Sequence, residues 1–275
     1  MQIQELAVKE QIIKTVVKSG NGGAVWLPKN WLGQEVVVIL PDKPKFDIKE
    51  NIIHLLEPYL KDVIAVFIYG SYARQEQTKE SDIDVMVITQ DKPLLIEIKE
   101  PNIEISVFQF DKLRMAIEKY PVMYYQIIQE AVPLINSSVL EEFKSIKINN
   151  ENFKSYIIET KRHIESNKEL IELDKLENKY VKSYSVIYST ILRLRGIFIM
   201  KCIMSKEKFS NKSFKEWLID NGIAVKEFEQ CYSAYKIVRN NEYAKNIQIK
   251  ISVAEKLLNM LVKETNLIEA EIFGK

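Results

Sequence analysis

The order of apolar and polar positions divides the chain into three segments. The first, residues 1–44, has alternating and β-branched stretches on either side of a turn at Gly20 to Gly23, which predicts a small β unit. Pro41 and Pro44 then indicate a linker, because proline fixes φ and disfavours helix in the residue before it. We therefore expect the first segment to be a domain of its own.

The second segment, residues 45–145, mixes helical and extended patterns. Its extended stretches are rich in β-branched and aromatic residues, whereas its helical stretches have apolar positions three or four residues apart. These patterns predict a central α/β domain with a mixed sheet. The expected strands are 63–69, 82–89 and 103–110, and the expected helices are 48–60, 111–118 and 122–131.

The third segment, residues 146–275, has helical periodicity in every regular stretch. This periodicity predicts an all-α bundle. The expected helices are 151–173, 175–204, 213–221, 224–239 and 246–264. The fold class that follows is a multidomain α+β protein with a β unit, an α/β domain and a helical bundle.

The charge balance limits the kinds of partner. The 39 Lys and Arg residues nearly cancel the 38 Asp and Glu residues, so no strong positive field covers the whole molecule. Any contact with nucleic acid must therefore be local.

The remaining composition is typical of a reducing, aqueous compartment. No apolar run approaches the roughly 20 residues that span a bilayer. Cys202 and Cys231 are too few and too far apart for a CxxC motif, and His54 and His163 give poor support for zinc chemistry. We expect a cytoplasmic protein with free thiols and no membrane partner.

One stretch of the second segment carries candidate chemistry. Asp82 and Asp84 alternate at the start of an expected strand, so both carboxylates project from the same face. Two carboxylates side by side resist joint ionisation, and a bound divalent cation removes that repulsion. Gly70 and Ser71 follow the preceding strand, where a residue without Cβ lets backbone amides approach a phosphate.

This spacing resembles the polymerase-β-like nucleotidyltransferase superfamily, whose signature is Gly-Ser, ten residues, then Asp-x-Asp. The extended motif consists of residues Gly70 to Arg74 and Ser81 to Asp84, and it is most similar to the minimal nucleotidyltransferases of prokaryotes. The resemblance implies that Asp82, Asp84 and Glu104 bind two Mg²⁺, although the family more often has Asp where Glu104 stands. It also implies a nucleotide site, with ATP or another nucleoside triphosphate as substrate. The implied nucleotide-binding residues are Gly70, Ser71, Arg74 and Ser81.

Each half of the motif has a structural alternative when it is taken alone. A single Asp-x-Asp is usually a solvated strand edge, and a single Gly-Ser is usually a turn. The two halves at this spacing favour the catalytic interpretation, and a degenerate, inactive site that keeps the motif is the alternative.

The first segment is similar to the swapped-hairpin AbrB-like family, through its Lys14 to Lys29 stretch. Members of that family are small β dimers, and many of them are DNA-binding antitoxins or transcription regulators. The resemblance implies a homodimer in which Lys14, Lys18 and Lys29 meet phosphates and Asn21 meets a base edge. A packing module with a solvated basic face is the alternative.

The third segment contains three stretches with a family resemblance, Tyr180 to Gly196, Ser210 to Phe214 and Tyr235 to Asn240. Through them it resembles the HEPN-type helical bundles that accompany minimal nucleotidyltransferases. Ribonuclease members need an arginine and a histidine with four to six residues between them, whereas the corresponding positions after Arg239 are Ala244, Lys245 and Asn246. Without an imidazole to exchange protons, RNA cleavage is not expected. Tyr180, Tyr184 and Tyr188 form a stripe that is either core packing or a platform for a nucleobase.

The function implied by these resemblances is Mg²⁺-dependent transfer of a nucleoside monophosphate to a hydroxyl acceptor on a protein or small molecule, with release of pyrophosphate. AMP from ATP is the simplest case, and the protein would act as an antitoxin-type enzyme. The alternative is a DNA-binding antitoxin or regulator whose transferase domain binds nucleotide but is weakly active or inactive.

The first segment generates a prediction about DNA. The protein binds duplex DNA with an affinity that falls as salt rises, because lysines that meet phosphates release counterions. Fluorescence anisotropy with promoter and random duplexes over a salt series measures this. An affinity that does not depend on salt, or no binding, would leave the segment as a dimerisation module.

Overall fold

The computed structural model describes residues 14, 16–36, 38, 48–78, 81–90, 94–96, 100–241 and 247–274. Contacts between residues divide the chain into two compact units, Met1–Asp47 and Ile48–Lys275. The helical segment and the central segment therefore belong to the same unit.

The first unit contains a short β-hairpin. Strands β1 (Val17–Ser19) and β2 (Gly22–Ala24) pair antiparallel, and a 3-10 helix follows at Lys29–Trp31. Most of the β-branched run expected near residues 36–40 lies outside the described residues. The apolar side chains of the hairpin and of the segment after it are largely exposed, including Trp26 and Leu32.

A four-stranded sheet forms the centre of the second unit. Its strands lie in the order β5-β4-β3-β6, with β4 and β5 parallel and β3 antiparallel to both of its neighbours, so the predicted mixed sheet is confirmed. The elements in chain order are α1 (Ile48–Leu56), a 3-10 helix (Glu57–Tyr59), β3 (Val63–Tyr69), α2 (Gly70–Ala73), β4 (Ile83–Thr89), β5 (Ile103–Gln109), α3 (Phe110–Lys119), α4 (Pro121–Glu130), β6 (Val132–Ile135) and α5 (Ser137–Lys144).

Strand β6 is an element that the sequence pattern did not predict. It has only four residues, and Pro133 stands within it. Proline cannot donate to a ladder, so it is tolerated in a strand that lies at the edge of the sheet. A pattern this short carries no periodicity that separates it from a loop.

Both faces of the sheet are buried. Phe67 and Met86 pack with helices α3, α4 and α5 on one face, and Val66 and Val85 pack with helix α1 on the other. Alternation along each strand places Asp84 on the same face as Met86. Asp84 therefore lies on the face that α3, α4 and α5 cover, at the end of the sheet where β4 begins.

The helical segment confirms the predicted all-α organisation. A 3-10 helix (Asn150–Phe153) precedes α6 (Lys154–Glu177), α7 (Tyr184–Ser205), α8 (Asn211–Asp220), α9 (Val225–Arg239) and α10 (Ile251–Phe273). Helix α8 begins earlier than expected because Ser210 caps it, with its hydroxyl accepting from the Ser213 amide. None of the described helices is both long and apolar enough to cross a membrane.

The bundle and the sheet share an interface through helix α4. This helix packs against α7, and its Val122 belongs to the hydrophobic core of the bundle. The carboxyl end of α4, at Glu130, thus lies between the sheet and the bundle.

Helices α6 and α7 approach each other closely at Gly196. A Cβ at this position would lie 1.7 Å from the Tyr156 hydroxyl oxygen. Burial raises the pKa of Tyr156 to about 12, as expected for a phenol held away from water. The glycine is required by packing rather than by backbone conformation.

We predict that Gly196→Ala lowers the free energy of unfolding by about 1 to 3 kcal/mol, because the added methyl overpacks the contact with Tyr156. Urea unfolding followed by circular dichroism measures this change. Leu192→Ala, at an exposed site on the same helix, is the matched control and should change stability far less. If both substitutions changed the free energy of unfolding equally, Tyr156 would have to move aside for the added methyl group without loss of stability.

Candidate active site

Strand register brings two of the three predicted carboxylates together. Asp84 lies opposite Tyr69 on β3 and level with Glu104 on β5. Residues at the same register position point to the same face of a sheet. Asp82 comes just before β4 and is exposed. Within the described part of the chain, no group of three or more His, Cys, Asp or Glu is arranged to hold a metal ion.

The electrostatics around Asp84 favour a positive charge. Burial and then the Glu104 carboxylate raise the pKa of Asp84 above its ordinary value, and Asp82 adds to the rise. Arg239 and Arg74 act in the opposite direction. Because a cation bound here would offset the repulsion, and because the donors are all oxygens, the donor set fits a hard divalent ion such as Mg²⁺.

The turn at Gly70 lies directly against Asp84. Gly70 has φ +73°, and a Cβ there would lie 1.9 Å from Asp84 Oδ2. Any other residue would have to displace the carboxylate and would also be strained in the left-handed region. Ser71 follows Gly70 in the four-residue helix α2 and is half-buried.

The amide of Gly70 is engaged within the protein. Its N–H donates to Glu130 Oε1 at 3.1 Å. The expectation that backbone amides of this turn approach a phosphate stays a prediction. The carboxyl end of α4 holds the turn in place.

Arg74 is also directed into the protein. Its Nη1 donates to Glu130 at 2.6 Å and its Nε donates to Glu76 at 2.8 Å, with only 14% of the side chain exposed. Burial raises the pKa of Glu130, and the Arg74 guanidinium opposes that rise. The structure therefore places Arg74 in an ion-pair network with Glu130 and Glu76, and its role in binding a triphosphate stays a prediction.

Ser81 orders the loop that leads into β4. Its Oγ accepts from the Thr78 amide at 2.9 Å, and its own amide donates to the Thr78 carbonyl at 3.2 Å. Residues 79–80 lie outside the described part of the chain. Ser81 thus closes a turn immediately before Asp82.

Three residues of this region were not predicted from sequence as site residues. Glu130 binds the Gly70 turn, and Glu76 and Asn211 join the loop after that turn to helix α8. The sequence feature that could have indicated Glu130 is its place as a single carboxylate between the apolar end of α4 and the apolar strand β6. Glu76 stands in a polar loop, where no pattern separates a buried partner from a solvated charge.

The predicted DNA-contacting residues lie in the first unit. Lys14, Lys18, Asn21 and Lys29 are all exposed. They are far along the chain from the carboxylate site and form a separate candidate surface.

Tyr184 and Tyr188 lie on α7 and are engaged in packing and hydrogen bonds, whereas Tyr180 precedes this helix and is 39% exposed. The prediction of one helix over 175–204 is wrong there, because α6 ends at Glu177 and α7 begins at Tyr184. Tyr188 stacks on Tyr235 with ring centroids 5.3 Å apart. The Tyr184 hydroxyl donates to the Ile247 carbonyl and accepts from the Ile247 amide. Arg239 is the last residue of α9, and the positions where a ribonuclease would have histidine lie outside the described residues.

Comparison with known families identifies the sheet domain. Residues 50–140 match the family described as polymerase beta, nucleotidyltransferase. Residues 50–140 therefore form a domain of the nucleotidyltransferase, polymerase beta type. The matched residues include the whole sheet and the Gly70, Asp82, Asp84 and Glu104 positions, so the nucleotidyltransferase domain contains every residue of the predicted metal site.

Three solved structures have low similarity to this chain. The spectinomycin adenyltransferase AAD(9) from Enterococcus faecialis, solved with ATP and spectinomycin, is 14% identical with a TM-score of 0.43, over 80% of this chain and 99% of that one. A nucleotidyltransferase-like protein from Exiguobacterium sibiricum 255-15 is 10% identical with a TM-score of 0.40, over 82% of this chain and 78% of that one. A toxin-antitoxin complex with AMP-PNP is 15% identical with a TM-score of 0.24, over 46% of this chain and 98% of that one. No curated protein matches the chain by sequence.

We predict that Gly70→Ala displaces the Asp84 carboxylate and abolishes stabilisation of the nucleotidyltransferase domain by Mg²⁺ and nucleotide. Thermal unfolding with and without these ligands measures the effect. Gly222→Ala is the matched control, since Gly222 also has positive φ (+95°) but nothing within 4 Å of its Cβ position. The Gly222→Ala variant has the backbone strain without a clash, so ligands should still raise its melting temperature. Loss of the shift in both variants would mean that strain, rather than contact with Asp84, is responsible.

Proposed function

We propose that the protein transfers a nucleoside monophosphate, most simply AMP from ATP, to a hydroxyl group of a protein or small-molecule acceptor, with release of pyrophosphate. The observation that carries this proposal is the Asp84 carboxylate, which is level with Glu104 and directly against the Gly70 turn. Paired carboxylates can hold the metal ions that stabilise the attacking and leaving oxygens in such a transfer, and the Gly70–Ser71 turn lies beside them.

In this proposal the three carboxylates have different roles. Asp82 and Asp84 would hold two Mg²⁺ ions, which supply neutralisation of the phosphate charge that builds up during transfer. Glu104 would complete the site and help to deprotonate the acceptor hydroxyl. The exposed position of Asp82 and Glu104 leaves them accessible to both substrates.

The phosphate-binding role is assigned to the motif's hydroxyl groups. Ser71 and Ser81 would donate to phosphate oxygens, and Gly70 would let the phosphates approach because it has no side chain. Arg74 would support this turn through Glu130. Positioning and charge neutralisation account for most of the catalysis in this class of reaction.

The first unit supports a second, compatible role. We propose that residues 1–44 form a homodimer and bind DNA through Lys14, Lys18, Asn21 and Lys29, with residues 45–145 and 146–275 as the transferase and HEPN-like domains. The exposed lysines and the uncovered apolar residues Trp26 and Leu32 favour a partner for this unit. An antitoxin that modifies a toxin and represses its own promoter would combine both roles.

The transferase activity is tested with ATP labelled at the α-phosphate. We expect Mg²⁺-dependent transfer of label to a hydroxyl acceptor in pools of proteins, aminoglycosides and RNA, and no transfer from γ-labelled ATP, since that phosphate leaves in pyrophosphate. The double variant Asp82→Ala, Asp84→Ala should lose at least about 100-fold in rate, because its carboxylates no longer neutralise charge through a metal.

The control for this experiment is Asp111→Ala, an exposed acidic residue on α3 outside the site, which should keep its activity. Equal labelling by the wild type and the double variant would exclude the proposed mechanism. Transfer of the γ-phosphate instead of the α-phosphate would show a kinase reaction and exclude nucleotidyl transfer.

A further inference from the structure

The loop after the Gly70 turn contacts the start of helix α8 in the bundle. Glu76 accepts two hydrogen bonds from Asn211, one from its backbone amide at 3.0 Å and one from its side-chain Nδ2 at 2.8 Å. These residues are 135 positions apart in sequence. The contact therefore links the nucleotidyltransferase domain to the bundle through a single carboxylate.

The same carboxylate continues into the motif. Glu76 also accepts from Arg74 Nε, and Arg74 Nη1 donates to Glu130, which in turn accepts from the Gly70 amide. A continuous network thus runs from Asn211 to Gly70. Its members are shielded from water, with 23% of Glu76 and 8% of Glu130 side-chain surface exposed, so its hydrogen bonds are stronger than those of surface ion pairs.

An aromatic contact reinforces the same junction. The Arg74 guanidinium lies 6.0 Å from the centre of the Phe209 ring, and the Arg195 guanidinium lies 4.7 Å from it. Phe209 is 4% exposed and stands just before α8. Two cations on one buried ring, with Glu76 and Glu130 nearby, make a charge-balanced junction between the two domains.

Asn211 is held in this place at a cost to stability. Its side-chain oxygen is the one buried side-chain polar atom among the described residues without a hydrogen-bond partner. A buried acceptor without a partner is unfavourable. An alanine at this position would leave no acceptor unpaired, but it could not donate the side-chain hydrogen bond to Glu76.

We propose that Glu76 is a positioning residue that couples the docking of helix α8 to the geometry of the Gly70–Ser71 turn, so that the bundle controls how the turn holds the nucleotide phosphates. The inference rests on the proposed function for the role of the turn in phosphate binding. Glu76 does not touch the substrate in this account and acts through Arg74 and Glu130.

The substitution Glu76→Gln separates this role from general packing. The glutamine has nearly the same shape, but it has one acceptor oxygen and presents an amide group to the donors on Arg74 and Asn211. We expect the KM for nucleotide to rise about tenfold with little change in kcat, since phosphate contacts serve the ground state and the transition state alike. A purely structural role would lower the melting temperature and the active fraction and leave KM unchanged.

Hydrogen exchange tests the coupling independently of activity. Asn211→Ala removes only the side-chain donor in the bundle, and we expect faster exchange at the amides of residues 70–75 without faster exchange in β3 or β4. Glu76→Gln should have the same effect, and the double variant should be no faster than Glu76→Gln alone, because both changes break one network. The matched control is Glu216→Gln, an exposed carboxylate on the same helix α8 that lies 3.9 Å from Lys212.

The outcomes distinguish the two proposals. Unchanged exchange at residues 70–75 in a folded Asn211→Ala variant, or a KM for nucleotide that stays at the wild-type value in Glu76→Gln, would overturn the coupling. Faster exchange in a protein that transfers no nucleotide would establish the coupling and remove the proposed function. Equal acceleration by Glu216→Gln would mean that any change on α8 disturbs the turn, and would also overturn the specific role of Glu76.

Discussion

The close approach of Gly70 to Asp84 is the constraint on which the site depends. Space for the Asp84 carboxylate exists only because Gly70 has no Cβ and adopts a positive φ. Strand pairing then fixes what surrounds that carboxylate, since Tyr69 lies opposite it and Glu104 lies level with it. An acidic group is thereby held in a half-buried position, where burial and the Glu104 carboxylate raise the pKa of Asp84.

Charged side chains of the protein itself hold this turn in place. Glu130 lies at the end of α4 and binds both the Gly70 amide and Arg74, and its burial makes an unpaired charge there costly. Arg74 is therefore committed to a structural partner before any ligand binds. The positive charge of the motif supports the turn from within and does not extend toward the solvent.

The bundle is part of this arrangement. Helix α4 packs on α7, and Glu76 reaches the first residue of α8. The sheet and the helical segment accordingly form one compact unit. The hydrogen bonds that join Glu76, Arg74 and Glu130 connect helix α8 to the Gly70 turn, and they are the route of the coupling that we propose.

The sequence alone determined the strand-turn-strand order, the mixed class of the central domain and the residues of the motif. These features depend on local spacing, such as the alternation of Asp82 and Asp84 and the ten residues that separate Asp82 from Ser71. Only the tertiary structure decided the partners of Arg74, the edge position of β6 and the contact between Glu76 and Asn211. Those features join residues as many as 135 positions apart, and a one-dimensional pattern carries no information about which distant charges will meet when the chain packs.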